Sequence, residues 1–140
     1  MAGWTWLALG SAGFAGLTAI LAKLGVERVP PLLATLIRTV VVLVLMTALV
    51  GWRNEWSKAG ALDQRGLVCL VLSGLTTGLS WLCYFQALHA GPVSVVAPLD
   101  KLSLPIAIML AVVVLGEHLT GRQWLGTSLM TFGALLLAAK

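Results

Sequence analysis

Of the 140 residues, 59% are hydrophobic and 10% are charged, and the formal net charge is +4. Ordinary soluble domains are about one-quarter charged, and a small water-soluble fold buries too little surface to hide this many apolar side chains. A soluble domain is therefore excluded. So is a nucleic-acid binder, because the nine Lys and Arg are scattered singly at segment ends without forming a basic stripe.

Five apolar segments come near the roughly 20 residues needed to cross hydrocarbon, allowing for tilt. The sequence thus predicts an all-α membrane protein, a five-transmembrane-helix bundle occupying residues 1–140 as one domain. The first span runs from Gly3 to Lys23. Its N-terminus lacks the cationic start of a secretory signal, so it reads as a retained helix. The second runs from Pro31 to Trp52, opened by Pro30-Pro31 and interrupted by Arg38. The third, Gly66 to Leu88, has no charge and holds both cysteines, Cys69 and Cys83. Fourteen helical residues set those thiols about 21 Å apart, too far to bridge within one chain. Gly91-Pro92 separates the third span from the fourth, Val93 to Gly116, which carries Asp100, Lys101, Pro98 and Pro105. Thr120 and Gln123 read as a capping box opening the fifth span, Gln123 to Ala139.

The longest connection, Arg53 to Arg65, is flanked by Trp52 and Trp56 as interfacial anchors. Five spans put Arg53, Lys58, Arg65 and Arg122 on one side and Lys23, Arg28 and Lys140 on the other. So even a balance of cations predicts insertion in both orientations.

Three charges lie inside the spans. Each costs about 3 kcal/mol at bilayer depth on insertion scales, so none is expected to face lipid unpaired. Arg38 and Asp100 each sit about six residues into spans that start from the same side, about 9 Å below that surface. The third span brings Ser80, Trp81 and Tyr84 to this depth, and Thr18 of the first span arrives there too. Ser73, Thr77, Ser80 and Tyr84 share one face of the third span, while Thr35, Arg38 and Thr39 form a patch on the second.

Two readings of this polar layer stand open. In one, Arg38 and Asp100 form a structural ion pair and the hydroxyls hold helices together. In the other, the layer lines a cavity for a solute or proton, with Lys101 as a second cation. Lys101 lies about 100° around a continuous helix from Asp100, so one partner would not neutralise both. Pro98 and Pro105 bracket these charges and predict either a harmless kink or a helix broken where a cavity would tolerate open carbonyls. Gly10, Gly13 and Gly16 on the first span, with Gly74 and Gly78 on the third, predict close helix approach. Glu117 reads as a cap or a loop ion pair with Arg122. His89 and His118 fall in different loops without ligand spacing, so no metal site, cofactor or enzyme chemistry is predicted.

The segments FAGLTAILAKLGVERV, ATLIRTVVVLV, LSGLTTGLSWLCYFQAL and VAPLDKLSLPIA, followed by VVVLGEHLT and Gly126, resemble a single EamA-type repeat of the drug/metabolite transporter superfamily. The likeness is nearest to its five-span bacterial and archaeal branch. It implies one half-repeat of a two-repeat transporter fold, completed by pairing as an antiparallel homodimer or with a similar chain. It also implies a multi-pass protein of the cell membrane (inner or plasma) that moves small metabolites or drugs by alternating access. The small four-span pumps of that superfamily use a glutamate in their first span. This chain has no acid there, so that mechanism does not transfer. The expected substrate or coupling-ion residues are Arg38, Ser80, Trp81, Tyr84, Asp100 and Lys101. The competing reading is a non-transporting accessory or assembly subunit.

Overall fold

A computed structural model describes residues 3–139. Lys140, counted above among the topology cations, lies outside the described residues. Among those residues the fold is all-helical. The helices are α1 (Gly3–Val26), α2 (Pro31–Trp52), α3 (Gln64–Ala90), α4 (Val93–Asp100), α5 (Ser103–Leu115) and α6 (Gly121–Ala138), with a 3-10 helix at Glu55–Ala61. Four stretches are long and apolar enough to cross a membrane: α1, α2, α3 and Val93–Leu115 taken together. The segment expected as a fifth span is not among these four. Its helix, α6, has 18 residues and reaches about 27 Å, at the short end of the range for a span. Arg122, Gln123, Thr127 and Ser128 also dilute its apolar character.

Exposure is inverted relative to a soluble fold. Leu7, Phe14, Leu43 and Val113 are 77%, 75%, 63% and 76% exposed, whereas the buried apolar residues are Val26, Phe85, Leu88 and Ala134. In water such a surface would aggregate, while lipid tails solvate it as well as another leucine does.

The chain divides into two compact units. One is Leu21–His89; the other contains the remaining described residues, up to Ile20 and from Ala90. In the first unit, Pro31 opens α2 at a position where a missing N–H is harmless. Past the end of α2, Asn54 takes a left-handed backbone at φ 55°, a conformation Asn tolerates better than most side chains. The Trp56 indole sits over Gly51, where an added Cβ would come within 3.8 Å of Nε1. Asp63 then caps α3, its carboxylate accepting the Gly66 N–H at 3.0 Å.

The buried end of this unit is stapled by polar side chains. Lys23 donates from Nζ to the Leu88 carbonyl at 2.7 Å and lies 3.6 Å from Glu27. His89 Nδ1 lies 2.8 Å from the Val26 carbonyl and so donates to it. Carbonyls at a helix C-terminus lack partners in their own helix and carry partial negative charge, which a lysine satisfies twice over. Val26 and Leu88, whose carbonyls accept these bonds, are also the two fully buried side chains.

In the second unit, α6 packs against both α4 and α5. Gly116 ends α5 at φ 69°, and the Glu117 N–H returns to the Ala111 carbonyl at 3.3 Å. The Gln123 carboxamide oxygen accepts from the Thr120 N–H at 2.7 Å and from its hydroxyl at 2.9 Å, giving α6 the polar start that the sequence predicted.

Two substitutions test these joints. Gly116→Ala places a Cβ on a left-handed residue and should cost about 1–2 kcal/mol, read as a lower unfolding midpoint in a detergent–denaturant titration. Lys23→Met keeps the apolar stem but removes the charged bond to Leu88. It should cost about 1.5–3 kcal/mol in the same titration, and an unchanged midpoint would show that the staple carries no stability.

Candidate functional site

Trp81, Phe85 and Leu88 recur along one face of α3 at helical spacing. The Arg38 side chain, from the second turn of α2, lies across the upper part of that face. Its guanidinium carbon sits 4.2 Å from the centroid of the Trp81 ring and 5.6 Å from that of Phe85. Both distances fall inside the range in which a ring face attracts a cation. Tyr84 meets Phe85 edge to face, with centroids 6.2 Å apart at 73°. Of the residues predicted for one layer, the structure joins Arg38 to Trp81 and sets Tyr84 beside Phe85. Phe85 is buried and Arg38, Trp81 and Tyr84 are half-buried, while Ser80 is exposed on α3. Phe85 is the member that the sequence reading missed. Its spacing of four from Trp81 was the available signal.

The hydroxyls are satisfied at home. Thr35 donates to Pro31 O and Thr39 to Thr35 O, each at 2.8 Å, and Thr77 donates to Ser73 O at 2.8 Å. These bonds to the preceding turn use the one proton of each of these three hydroxyls. Among the described residues, a Cβ added at Gly10, Gly13 or Gly16 on α1, or at Gly74 or Gly78 on α3, would meet nothing within 4 Å.

In the other unit the fourth span is broken at its charges. Pro105 has no N–H to return to the Lys101 carbonyl, which instead receives Leu104 N at 3.0 Å. Lys101 N and Leu102 N likewise bond three residues back, to Pro98 O and Leu99 O. The α-helix therefore stops at Asp100 and resumes at Ser103, as one reading of the flanking prolines predicted. Within this break Lys101 Nζ lies 3.1 Å from Asp100 Oδ2. The expectation that neighbouring charges would point apart assumed an unbroken helix. Once the helix breaks, the two neutralise each other.

Of the roles expected of Glu117, an ion pair with Arg122 is not formed among the described residues. Glu117 lines a groove of about 470 Å³ between α5 and α6, with Gln123, Thr127 and apolar neighbours such as Ile108 and Met130. Thr127 is buried and donates to Gln123 O at 2.9 Å.

Compared with known proteins, the chain matches the EamA-like transporter family over residues 2–139. It is 48% identical over 135 residues to a protein of Sinorhizobium sp. named "Uncharacterized transporter in cobO 3'region", with 96% of each chain covered. It is 30% identical over 135 residues to the "Uncharacterized transporter YwfM" of Bacillus subtilis, a match that takes 95% of this chain but 44% of that protein. A further similarity, 30% over 87 residues, is to the "Probable 4-amino-4-deoxy-L-arabinose-phosphoundecaprenol flippase subunit ArnE" of Yersinia pestis, covering 62% of this chain and 74% of that one. No solved structure gives a significant match. These names point to transport and not to catalysis. With four membrane-length apolar helices and a family match over nearly its whole length, the chain is a multi-pass cell-membrane protein that belongs to the EamA-like transporter family.

Proposed function

We propose that the chain is a secondary transporter of small metabolites or drugs, one EamA-like domain of five spans that works by alternating access. In this reading α6 is the fifth span, and two copies in opposite orientation, or one copy and a similar chain, make the working unit. The observation that carries the reading is the pair of charged features inside apolar spans. One is Arg38 stacked on Trp81, and the other is the broken helix holding Asp100 and Lys101. A charge in a span is costly, and discontinuous helices at membrane depth are characteristic of transport sites. Arg38, Ser80, Trp81 and Tyr84 contact solute in this account. Asp100 and Lys101 balance charge or carry the coupling proton.

Pairing is supported by the relative from Bacillus subtilis, since two lengths of this chain fit within it. The open glycines on α1 and α3 are consistent with helices of a second chain approaching there. A second reading is favoured by the word "subunit" in the name of the Yersinia pestis relative. There the chain would be an accessory part of a heteromer, inactive by itself.

Water access separates the two readings. In a chain with Cys69 and Cys83 replaced by serine, Ser80→Cys in liposomes should react with a charged, impermeant thiol reagent, because the attacking thiolate forms only where water reaches. Leu75→Cys, on an apolar and lipid-exposed part of α3, is the control that stays unlabelled. If Ser80→Cys stays as inert as Leu75→Cys both in the chain alone and with a partner chain co-reconstituted, the accessory reading replaces the transporter.

A further inference from the structure

We propose that Arg38 is an anion-receiving site, and that the solute or lipid it binds carries a carboxylate or phosphate group. The inference deepens the transport reading and rests on it for the direction of movement, but the site itself stands on unit Leu21–His89.

The argument begins with charge. The chain has five acids. Glu27 faces Lys23 at 3.6 Å, Asp63 accepts the Gly66 N–H at 3.0 Å, and Asp100 faces Lys101 at 3.1 Å. Glu117 lines the groove between α5 and α6. Glu55 lies beyond the far end of α2, whose axis runs about 21 Å from Arg38 to Trp52. Within its own unit, and among the described residues, Arg38 has no carboxylate partner and no hydrogen bond. A half-buried guanidinium has five N–H donors and no means of losing its proton.

Its surroundings orient these donors without satisfying them. A ring beneath a guanidinium attracts its face, whereas hydrogen bonds leave through its edge in the plane. The Trp81 ring lies under the guanidinium carbon, its centroid 4.2 Å away, and Phe85 adds a second ring at 5.6 Å. The neighbouring hydroxyls of Thr35 and Thr39 donate to α2 carbonyls, and among the described residues neither oxygen accepts a bond from Arg38. The planar fork is thus pre-set for two parallel bonds to one carboxylate or phosphate, the geometry in which arginine surpasses lysine. Arg38 also lies only about 10 Å along α2 from Pro31, within reach of one membrane surface. A dissolved anion and a lipid headgroup could therefore both supply the group.

The test uses the whole chain in nanodiscs of phosphatidylcholine, with the Arg38 side-chain N–H followed by ¹⁵N NMR and assigned through Arg38→Lys. Adding inorganic phosphate or acetate should shift this signal saturably. Arg38→Lys, which keeps the charge but loses the fork, should weaken binding about tenfold in calorimetry, and Trp81→Leu should weaken it as well. A signal already shifted in nanodiscs containing phosphatidylglycerol, with no added anion, identifies the lipid as the source. The proposal is overturned if the signal of the unsubstituted chain ignores phosphate, acetate and phosphatidylglycerol alike. The same holds if Arg38→Lys binds phosphate as tightly as the unsubstituted chain. Saturable binding without solute flux in liposomes would keep the site and remove the transport reading. Flux without any shift at Arg38 would remove the site and keep transport.

Discussion

Hydrocarbon offers backbone groups no hydrogen-bond partner, so every N–H and C=O in a span must be satisfied within its own helix or by a side chain that reaches it. That requirement explains most of what the chain does. Long helices satisfy their own interiors, and their apolar side chains are left facing outward because lipid imposes no cost on them. Helix ends are where the requirement bites. Asp63 meets it at the start of α3, and Lys23 and His89 meet it at the buried ends of α3 and α1. The break at Lys101–Leu102 is the exception inside a span, where shorter three-residue bonds replace those that Pro105 cannot make.

The charges inside spans follow the same logic with higher stakes. Asp100 and Lys101 solve the problem locally, since the helix break turns a sequence neighbour into a partner. Within unit Leu21–His89, and among the described residues, Arg38 has no carboxylate beside it; the Trp81 and Phe85 rings lie under its charge instead.

Much of this was legible from residue pattern. Uncharged runs of over twenty residues could only be membrane helices, and the prolines flanking Asp100 located the break. Depth counting put Arg38 and Trp81 in one layer, because rise per residue is fixed. The stacking itself was not legible, since depth says nothing of rotation about the helix axis. Lys23 and His89 were read as loop-end residues because their partners are backbone carbonyls, which leave no mark in a sequence. Small residues permit close approach but do not say which helix, or which chain, takes it up.

Transport by way of Arg38 would carry an anionic group across the membrane. Its most direct test is current recorded from proteoliposomes on a solid-supported membrane after rapid jumps in a panel of carboxylates and phosphate monoesters. The account predicts a transient current for at least one anion, sharply reduced in Arg38→Lys although that variant keeps its positive charge. Currents of equal size in the unsubstituted chain and in Arg38→Lys would contradict it.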